Sequence, residues 1–295
     1  MKDSFTAGVI RNYNITVGVA STTDTCREAQ RIHRASELAT IALGRLLSAA
    51  TLATFSQSRK GQLSLQVVSQ GVLGNVFTDV TDAGHIRTMI KNPQATLPRL
   101  LSDGATQRRT LTHAFRDGQL GVIWQPEGRS FSQSTTPLVS GEIDQDVEHF
   151  LAASDQVRTV LWADVQLGAD GTVLSAGGVL LQAMPDADFD EFNRLGGVLR
   201  QAAESVRLPY DLEGLSTLLD EELTASSSPV ALQWQCRCSY DRVMGGLRML
   251  GVEDLADMVQ KNETAQVTCE FCGKHYEVPP PEVRTIYEEK VQPGN

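Results

Sequence analysis

The chain has 295 residues, of which 41% are hydrophobic and 21% charged, and its formal net charge is −10. This length suits two domains, and no apolar run reaches the roughly 20 residues that a membrane-spanning helix needs. The negative charge disfavours nucleic acid as a partner, because phosphate binding requires a basic surface. Residues 1–21 lack the pattern of a secretory signal, so we expect a cytoplasmic protein with no membrane partner.

The first strong pattern is a helix over residues 34–55. Leu38, Ile41 and Leu46 recur at helical spacing, and almost no charge interrupts the segment. A helix that is apolar on most of its surface belongs in a core. Short apolar or alternating segments follow and predict strands at residues 63–67, 72–80, 85–90, 118–124 and 137–143.

The pattern continues with a helix over residues 144–157 and a strand pair, 158–167 and 172–184, joined by a glycine-containing turn. Strands with such short connections favour antiparallel pairing. We therefore predict an α+β core domain over residues 1–185, in which a mixed antiparallel sheet carries helices on one side.

The segment after Pro185 has a different character. Residues 186–229 contain ten acidic and three basic residues, a net charge of −7, and two amphipathic helical patterns. Gly196, Gly197 and Gly214 weaken these patterns from within. We predict a helical linker of low intrinsic stability that depends on docking for its fold. The leucine face over residues 212–223 is most simply a docked helix, and client binding by that face is a further hypothesis.

The last segment, residues 230–295, holds four of the five cysteines. Ser239 is a typical N-terminal cap for a helix, and Gly251 is expected to end it. Helices are predicted at residues 240–250, 253–261 and 282–289, with a turn and a strand at 267–275. This segment is therefore predicted to be a small separate domain.

The four cysteines form two close pairs, Cys236-Arg-Cys238 and Cys269-Glu-Phe-Cys272, separated by thirty residues. Four thiolates brought together by a fold match the tetrahedral set of soft ligands that Zn²⁺ prefers. Gly273 permits a tight turn after the second pair. In a reducing cytoplasm such thiols are free to bind metal instead of forming structural disulfides. The sequence therefore predicts a zinc site.

Other interpretations of these cysteines stay open at this stage. Four-cysteine zinc sites are most often structural, as in zinc-ribbon modules that bind proteins or nucleic acid. Cys269 and Cys272 could instead form a thioredoxin-like redox pair, and His275 could replace one ligand. A disulfide between Cys236 and Cys238 would be strained, and strained disulfides are typical of regulatory bonds.

The remaining thiol and histidines carry weaker signals. Cys26 precedes a helical stretch whose N-terminus would lower its pKa, but an ordinary thiol is the simpler interpretation. Four histidines are scattered singly, without a nucleophile in a recognisable pattern, namely His33, His85, His113 and His149. We expect structural or surface roles for them and no enzyme active site.

The order, spacing and flanks of the cysteine pairs, with the aromatic Tyr276 after the second pair, resemble the zinc domain of the 33 kDa heat-shock chaperonin family. The similarity extends to three other segments. Residues 46–54 resemble the first core helix of that family. Residues 150–156 are similar to its aromatic-x₃-Ser-Glu-Gln segment, and residues 176–185 to the strand that ends its core domain. The resemblance covers most of the chain.

This resemblance implies a redox-regulated, ATP-independent holdase chaperone that is not an enzyme. It implies that Cys236, Cys238, Cys269 and Cys272 bind one Zn²⁺ when reduced. Oxidation is then expected to form the disulfides Cys236–Cys238 and Cys269–Cys272 and to release the metal. The zinc domain and then the linker are expected to unfold, which uncovers apolar surface for unfolding client proteins. The resemblance also implies a homodimer in the oxidised state.

Overall fold

The computed structural model of the chain describes residues 2–56, 60–97, 108–205 and 210–291. The chain divides into two compact units, Met1–Gln235 and Cys236–Asn295. The first combines β-sheets with helices, which confirms the predicted α+β class, and the second contains short helices and a hairpin.

The first unit contains strands and helices in similar proportion. Its strands are β1 (Ser4–Ile10), β2 (Ile15–Ser21), β3 (Gly61–Val68), β4 (Val76–Thr81), β5 (His85–Ile90), β6 (Gln119–Pro126), β7 (Ser132–Pro137), β8 (Thr159–Leu167), β9 (Val173–Ala183), β10 (Thr224–Ala225), β11 (Val230–Ala231) and β12 (Gln233–Trp234). Its helices are α1 (Thr23–His33), α2 (Glu37–Ser56), α3 (Ile143–Asp155), α4 (Phe189–Ser205) and α5 (Leu212–Leu219).

In the described part of the chain these strands form two six-stranded sheets. The first has the order β10-β1-β2-β9-β8, with β11 also paired to β1, and it is antiparallel. The second has the order β12-β5-β4-β3-β6-β7, and only the pairing of β12 with β5 is parallel. Gly84 makes that pairing possible, because a Cβ at this position would lie 2.1 Å from the carbonyl oxygen of Ala231.

Helix α2 packs against strands of both sheets and forms the centre of the core. Leu43, Leu46 and Leu47 are fully buried. The helix is long and apolar enough to span a membrane, but 94% of its apolar window is buried inside the protein. The sequence predicted that this helix is buried in the core, and the structure places it between two sheets.

Helix α2 also carries a charged side chain into this core. The Arg45 side chain is fully buried, and its guanidinium pairs with Glu142 at 2.6 Å and Asp164 at 2.8 Å. It also donates to the carbonyl oxygen of Arg109 at 2.7 Å. The buried charge is thus compensated by two carboxylates, without which its burial would cost several kcal/mol.

The outer face of the first sheet is covered by the segment after Pro185. Helices α4 and α5 pack onto this face and bury Phe192, Leu195, Leu199, Leu215 and Leu219. The strand residues beneath them are Ile15, Val17, Val19, Val160, Trp162, Val179 and Leu181. The predicted linker helices therefore exist, and in this state they are docked.

Two side-chain contacts also hold helix α4 in place, through Glu148 and Arg158. Glu148 of α3 accepts hydrogen bonds from the Leu161 amide at 2.7 Å and from Arg200 of α4 at 2.6 Å. The guanidinium of Arg158 lies 4.2 Å from the ring centroid of Phe189. The docked state therefore combines apolar burial with a partly buried ion pair.

Some predictions were wrong. The core has two sheets where the sequence suggested one, because local patterns do not show which strands pair. The strand predicted at residues 137–143 lies earlier, at β7, an exposed edge strand of serine, glutamine and threonine without apolar alternation. The strand predicted at 72–80 begins only at Val76, after a turn that includes Gly74 in a left-handed conformation.

The second unit contains α6 (Tyr240–Arg248), α7 (Val252–Gln260), the hairpin β13 (Ala265–Thr268) and β14 (His275–Val278), and α8 (Pro280–Val291). Among its described residues the buried apolar cluster consists of Leu247, Leu255, Ala265, Val278, Val283 and Ile286. Gly251 precedes α7 as its N-cap residue and does not end α6, which stops at Arg248. A core this small is typical of modules that need a metal or disulfides.

Candidate metal centre

The first cysteine pair lies directly before a capped helix. The hydroxyl of Ser239 accepts a hydrogen bond from the Arg242 amide at 3.2 Å, which satisfies one free donor at the start of α6. This predicted cap is confirmed. It fixes the chain direction one residue after Cys238 and so helps to place that sulfur.

The second cysteine pair occupies the turn between β13 and β14. The Cys269 amide donates to the Lys274 carbonyl at 2.9 Å, and the Gly273 amide donates to the Cys269 carbonyl at 2.8 Å. Gly273 has a φ of +70°, which glycine adopts without strain. The predicted tight turn is confirmed, and it directs both sulfurs toward the first pair.

The four sulfurs of Cys236, Cys238, Cys269 and Cys272 lie within 4.8 Å of one another. Those of Cys236 and Cys269 are 3.6 Å apart, and those of Cys238 and Cys272 are 3.5 Å apart. All four residues are partly buried. The cluster has four soft donors around one point and could hold a metal ion.

The thiols of the cluster differ in acidity. Burial raises the pKa of Cys236 and of Cys272. Burial acts on Cys238 as well, but hydrogen bonds from Tyr276 and from neighbouring cysteines outweigh it and lower the pKa of Cys238 to about 7. Cys238 is therefore more acidic than Cys236 and Cys272, and a bound dication would allow all four sulfurs to ionise.

Tyr276 on β14 is a polar neighbour of the cluster that the sequence did not assign a role. Its hydroxyl donates to the Cys238 sulfur at 3.1 Å. This hydrogen bond is the main cause that raises the pKa of Tyr276 to about 12, and burial is the second. The contact depends on the register of the hairpin, which pairs Val267 with Tyr276. The only sequence signal was an aromatic residue shortly after the second cysteine pair.

The structure also bears on the other interpretations of the cysteines. The Cys269–Cys272 pair lies in a hairpin turn, whereas a thioredoxin-like pair opens a helix after a strand. His275 is exposed, and its ring is 2.8 Å from the Thr268 hydroxyl. It is not one of the four clustered donors. Both findings favour a four-sulfur site.

The fifth cysteine and one of the histidines occupy structural positions in the first unit. Cys26 is fully buried in α1, and burial raises the pKa of its thiol to about 12, so the helix N-terminus does not activate it. His33 is half-buried, with its ring nitrogen 3.0 Å from the carbonyl oxygen of Thr88. Neither is part of the cluster.

Comparison with known proteins gives concordant matches over nearly the whole chain. A family model described as Hsp33 protein matches residues 3–279. A 33 kDa chaperonin from Gloeobacter violaceus is 38% identical over 92% of this chain and 91% of its own length. A 33 kDa chaperonin from a Picosynechococcus species is 33% identical over 98% of both chains.

The fold has a solved counterpart. The crystal structure of a 33 kDa chaperonin from Thermotoga maritima matches with a TM-score of 0.85 and covers 99% of both chains. Its sequence identity is 22%, so this likeness concerns the fold. The two kinds of comparison therefore agree on fold and on sequence family.

Proposed function

The chain belongs to the Hsp33 family of redox-regulated holdase chaperones, which are not enzymes, and we propose that one Zn²⁺ on its four clustered cysteines forms its switch. The observation that carries the proposal is the close grouping of the four sulfurs. A tetrahedral site with Zn–S distances of about 2.3 Å places sulfurs about 3.8 Å apart. The separations of 3.5 and 3.6 Å within the cluster are close to this value.

In the reduced state the chain's own part is to hold four sulfurs in place. The cap at Ser239 and the turn at Gly273 position one cysteine pair each. Bound Zn²⁺ would supply folding free energy to the unit Cys236–Asn295, because metal binding and folding are coupled in such modules. The small apolar cluster of this unit supports that dependence.

The proposed trigger is an oxidant such as hypochlorite. Two thiolates give two electrons to hypochlorous acid, one sulfur–sulfur bond forms, and uptake of one proton completes the products chloride and water. Following the family resemblance, we assign the bonds to Cys236–Cys238 and Cys269–Cys272. Disulfide sulfurs lack the negative charge that makes a thiolate a good ligand, so the oxidised site would lose its metal.

The proposed consequence of metal loss is a change of state in residues 186–229. The small unit unfolds first, and helices α4 and α5 then detach from the first sheet. Their detachment would expose an apolar strand face that includes Val17, Val19 and Val179. Such a face, together with the leucine side of α5, would bind non-native proteins. The buried apolar contacts of these helices support this assignment.

The remaining parts of the proposal concern partners and place. We assign unfolding client proteins as partners, a homodimer as the oxidised form, and the cytoplasm as the compartment. The functional division is a core at residues 1–185, a linker at 186–229 and a redox-switch domain at 230–295. Nucleic acid is disfavoured as a partner by the net charge of −10.

The first test is light scattering from a client protein that aggregates on heating. Zinc-loaded reduced protein is compared with protein oxidised by hypochlorite. We expect only the oxidised form to suppress scattering, and we expect one Zn²⁺ per chain to be released during oxidation. Equal failure of both forms would assign the cysteines to a purely structural site.

The matched control is the double variant Cys236→Ser with Cys238→Ser. A site that lacks two of four ligands should lose its zinc, and with it the difference between reduced and oxidised samples. A thiol oxidoreductase that acts through Cys269 and Cys272 would keep its thiol-dependent activity in this variant. Retention of such activity would therefore contradict the proposed switch.

A further inference from the structure

We propose that Tyr276 is a positioning residue of the metal centre, whose hydroxyl tunes the Cys238 sulfur as a ligand and as a target of oxidants. This inference rests on the proposed zinc switch and deepens it. It assigns to one side chain a part of the site's affinity for metal and of its resistance to oxidation. Nothing in the cysteine pattern itself distinguishes Cys238 from the other three sulfurs.

The contact between Tyr276 and Cys238 is a hydrogen bond whose donor ring is held in place. The Tyr276 hydroxyl lies 3.1 Å from the Cys238 sulfur, a hydrogen-bond distance for a sulfur acceptor. The residue is 7% exposed, and the pairing of Val267 with Tyr276 fixes its backbone. The ammonium of Lys274 lies 4.9 Å from the centroid of its ring. The ring is therefore held by its surroundings, and the hydroxyl direction follows from them.

The two partners come from different segments of the second unit. Cys238 directly precedes the cap of α6, while Tyr276 lies on β14, 38 residues further along the chain. The hydrogen bond thus ties the first cysteine pair to the hairpin that carries the second pair. Partners of this kind orient metal ligands, and their loss typically costs 10–100-fold in metal affinity.

The hydrogen bond has a second chemical effect. A metal-bound thiolate keeps lone pairs that can accept a hydrogen bond, and a thiolate that shares its electron density in this way is a weaker nucleophile. Cys238 should therefore react more slowly with an oxidant than it would without the hydroxyl. The Tyr276 contact would raise the threshold at which the centre responds.

The test compares Tyr276→Phe with the parent protein, both full-length, reduced and zinc-loaded. Zinc affinity is measured by competition with a chromophoric chelator, and zinc release after hypochlorite is followed by stopped flow. We expect roughly tenfold weaker zinc binding and faster release in the variant. The benzyl ring is kept, so packing changes little.

A spectroscopic measurement separates tuning of the sulfur from a general loss of stability. With Co²⁺ in place of zinc, the thiolate-to-cobalt charge-transfer absorption reports the electron density on the sulfurs. Loss of the hydrogen bond should shift this absorption of Tyr276→Phe to lower energy. A merely structural role of the tyrosine would leave the band where it is in the metal-saturated protein.

The chain offers a matched control. Tyr240 lies in the same unit, and its exposed hydroxyl donates to Glu282 at 3.0 Å. Tyr240→Phe removes an equivalent group without touching a sulfur, so affinity, release and the cobalt band should match the parent. Equal affinity, release and cobalt band in Tyr276→Phe and the parent would overturn the inference while the zinc switch stands. Failure of the parent to bind zinc would overturn both.

Discussion

The side chain of Cys26 lies between α1 and α2, with no exposed surface. A Cβ added to Gly44 of α2 would lie 2.7 Å from its sulfur, which shows how closely the two helices approach. Burial raises the pKa of this thiol to about 12, and the nearby Asp3 carboxylate adds to the effect. At neutral pH almost none of it is thiolate, which is the form that oxidants and alkylating agents attack.

We therefore expect Cys26 to take no part in the redox response. Reduced protein treated with iodoacetamide after removal of zinc should be modified at the other four cysteines and not at Cys26. Peptide mass spectrometry gives the answer directly, and unfolding in denaturant should restore modification. Cys26→Ala should keep the oxidation-dependent protection of clients. Modification of Cys26 in the folded protein would contradict this assignment.

Among individual residues, the four candidate cysteine ligands could be predicted, because two close pairs of cysteines are typical of a zinc site. The role of Tyr276 could not, since its contact with Cys238 depends on a hairpin register that local patterns leave undetermined. The buried Arg45 gave no signal either. Its carboxylate partners, Glu142 and Asp164, lie about a hundred residues away in sequence.

Helix α4 contains two adjacent glycines that lower its intrinsic stability. Gly196 and Gly197 lie in its middle, where glycine weakens a helix. Gly196 has a packing reason, because its Cβ would lie 3.0 Å from a methyl carbon of Val160. Apart from its chain neighbours and the backbone of α4, no described atom lies within 4 Å of the position a Cβ would take at Gly197. Packing therefore does not account for the second glycine.

Substitution of Gly197 should consequently alter the switch. Gly197→Ala is expected to stabilise α4 by about 1 kcal/mol, since the open position accepts a methyl group and alanine favours helix. Detachment of α4 should then require longer oxidation or a higher temperature. The half-time of activation under hypochlorite measures this, and hydrogen exchange of the α4 amides measures the helix itself.

The neighbouring glycine provides the control for that experiment. Gly196→Ala gains the same helix propensity but crowds Val160, so it should not delay activation. Activation of Gly197→Ala at the parent rate would show that melting of α4 is not the step that limits the response.

The elements that could be predicted were those whose apolar residues recur at helical or strand spacing. Helix α2 was expected at residues 34–55 and occupies Glu37–Ser56, because apolar residues recur at helical spacing over that length with almost no charge between them. Strand β7 was misplaced, because its exposed polar residues give no alternation, while the apolar Leu138 and Val139 lie beyond its end. No pattern revealed β1 and β2, whose other partners come from far along the chain.

At the scale of the whole molecule, the two units differ in how they can be stable. The unit Met1–Gln235 has extensive buried clusters on both faces of its first sheet. The unit Cys236–Asn295 has the small cluster around Leu255 and Ile286. The second unit should therefore depend on its metal, while the first should not.

Removal of zinc under reducing conditions tests this difference. A strong chelator should abolish the hydrogen-exchange protection of β13, β14 and α6, and protection in the β3–β4 and β8–β9 pairs should persist. Re-addition of zinc should restore the lost signals. Persistent protection of the β13–β14 hairpin in metal-free protein would show that the cysteine cluster is not needed for folding.

The pairing of the first sheet has a consequence for biosynthesis. Strand β2 ends at Ser21, and its partner β9 begins only at Val173. A ribosome that adds roughly 5–20 residues per second needs about 8–30 s to make the intervening chain. During that interval the β1–β2 hairpin has emerged with both edges unpaired, since the other partners of β1 are made later still, and its valines are in water. The nascent chain of this chaperone should thus itself need shielding from aggregation until the second half of its first unit has been made.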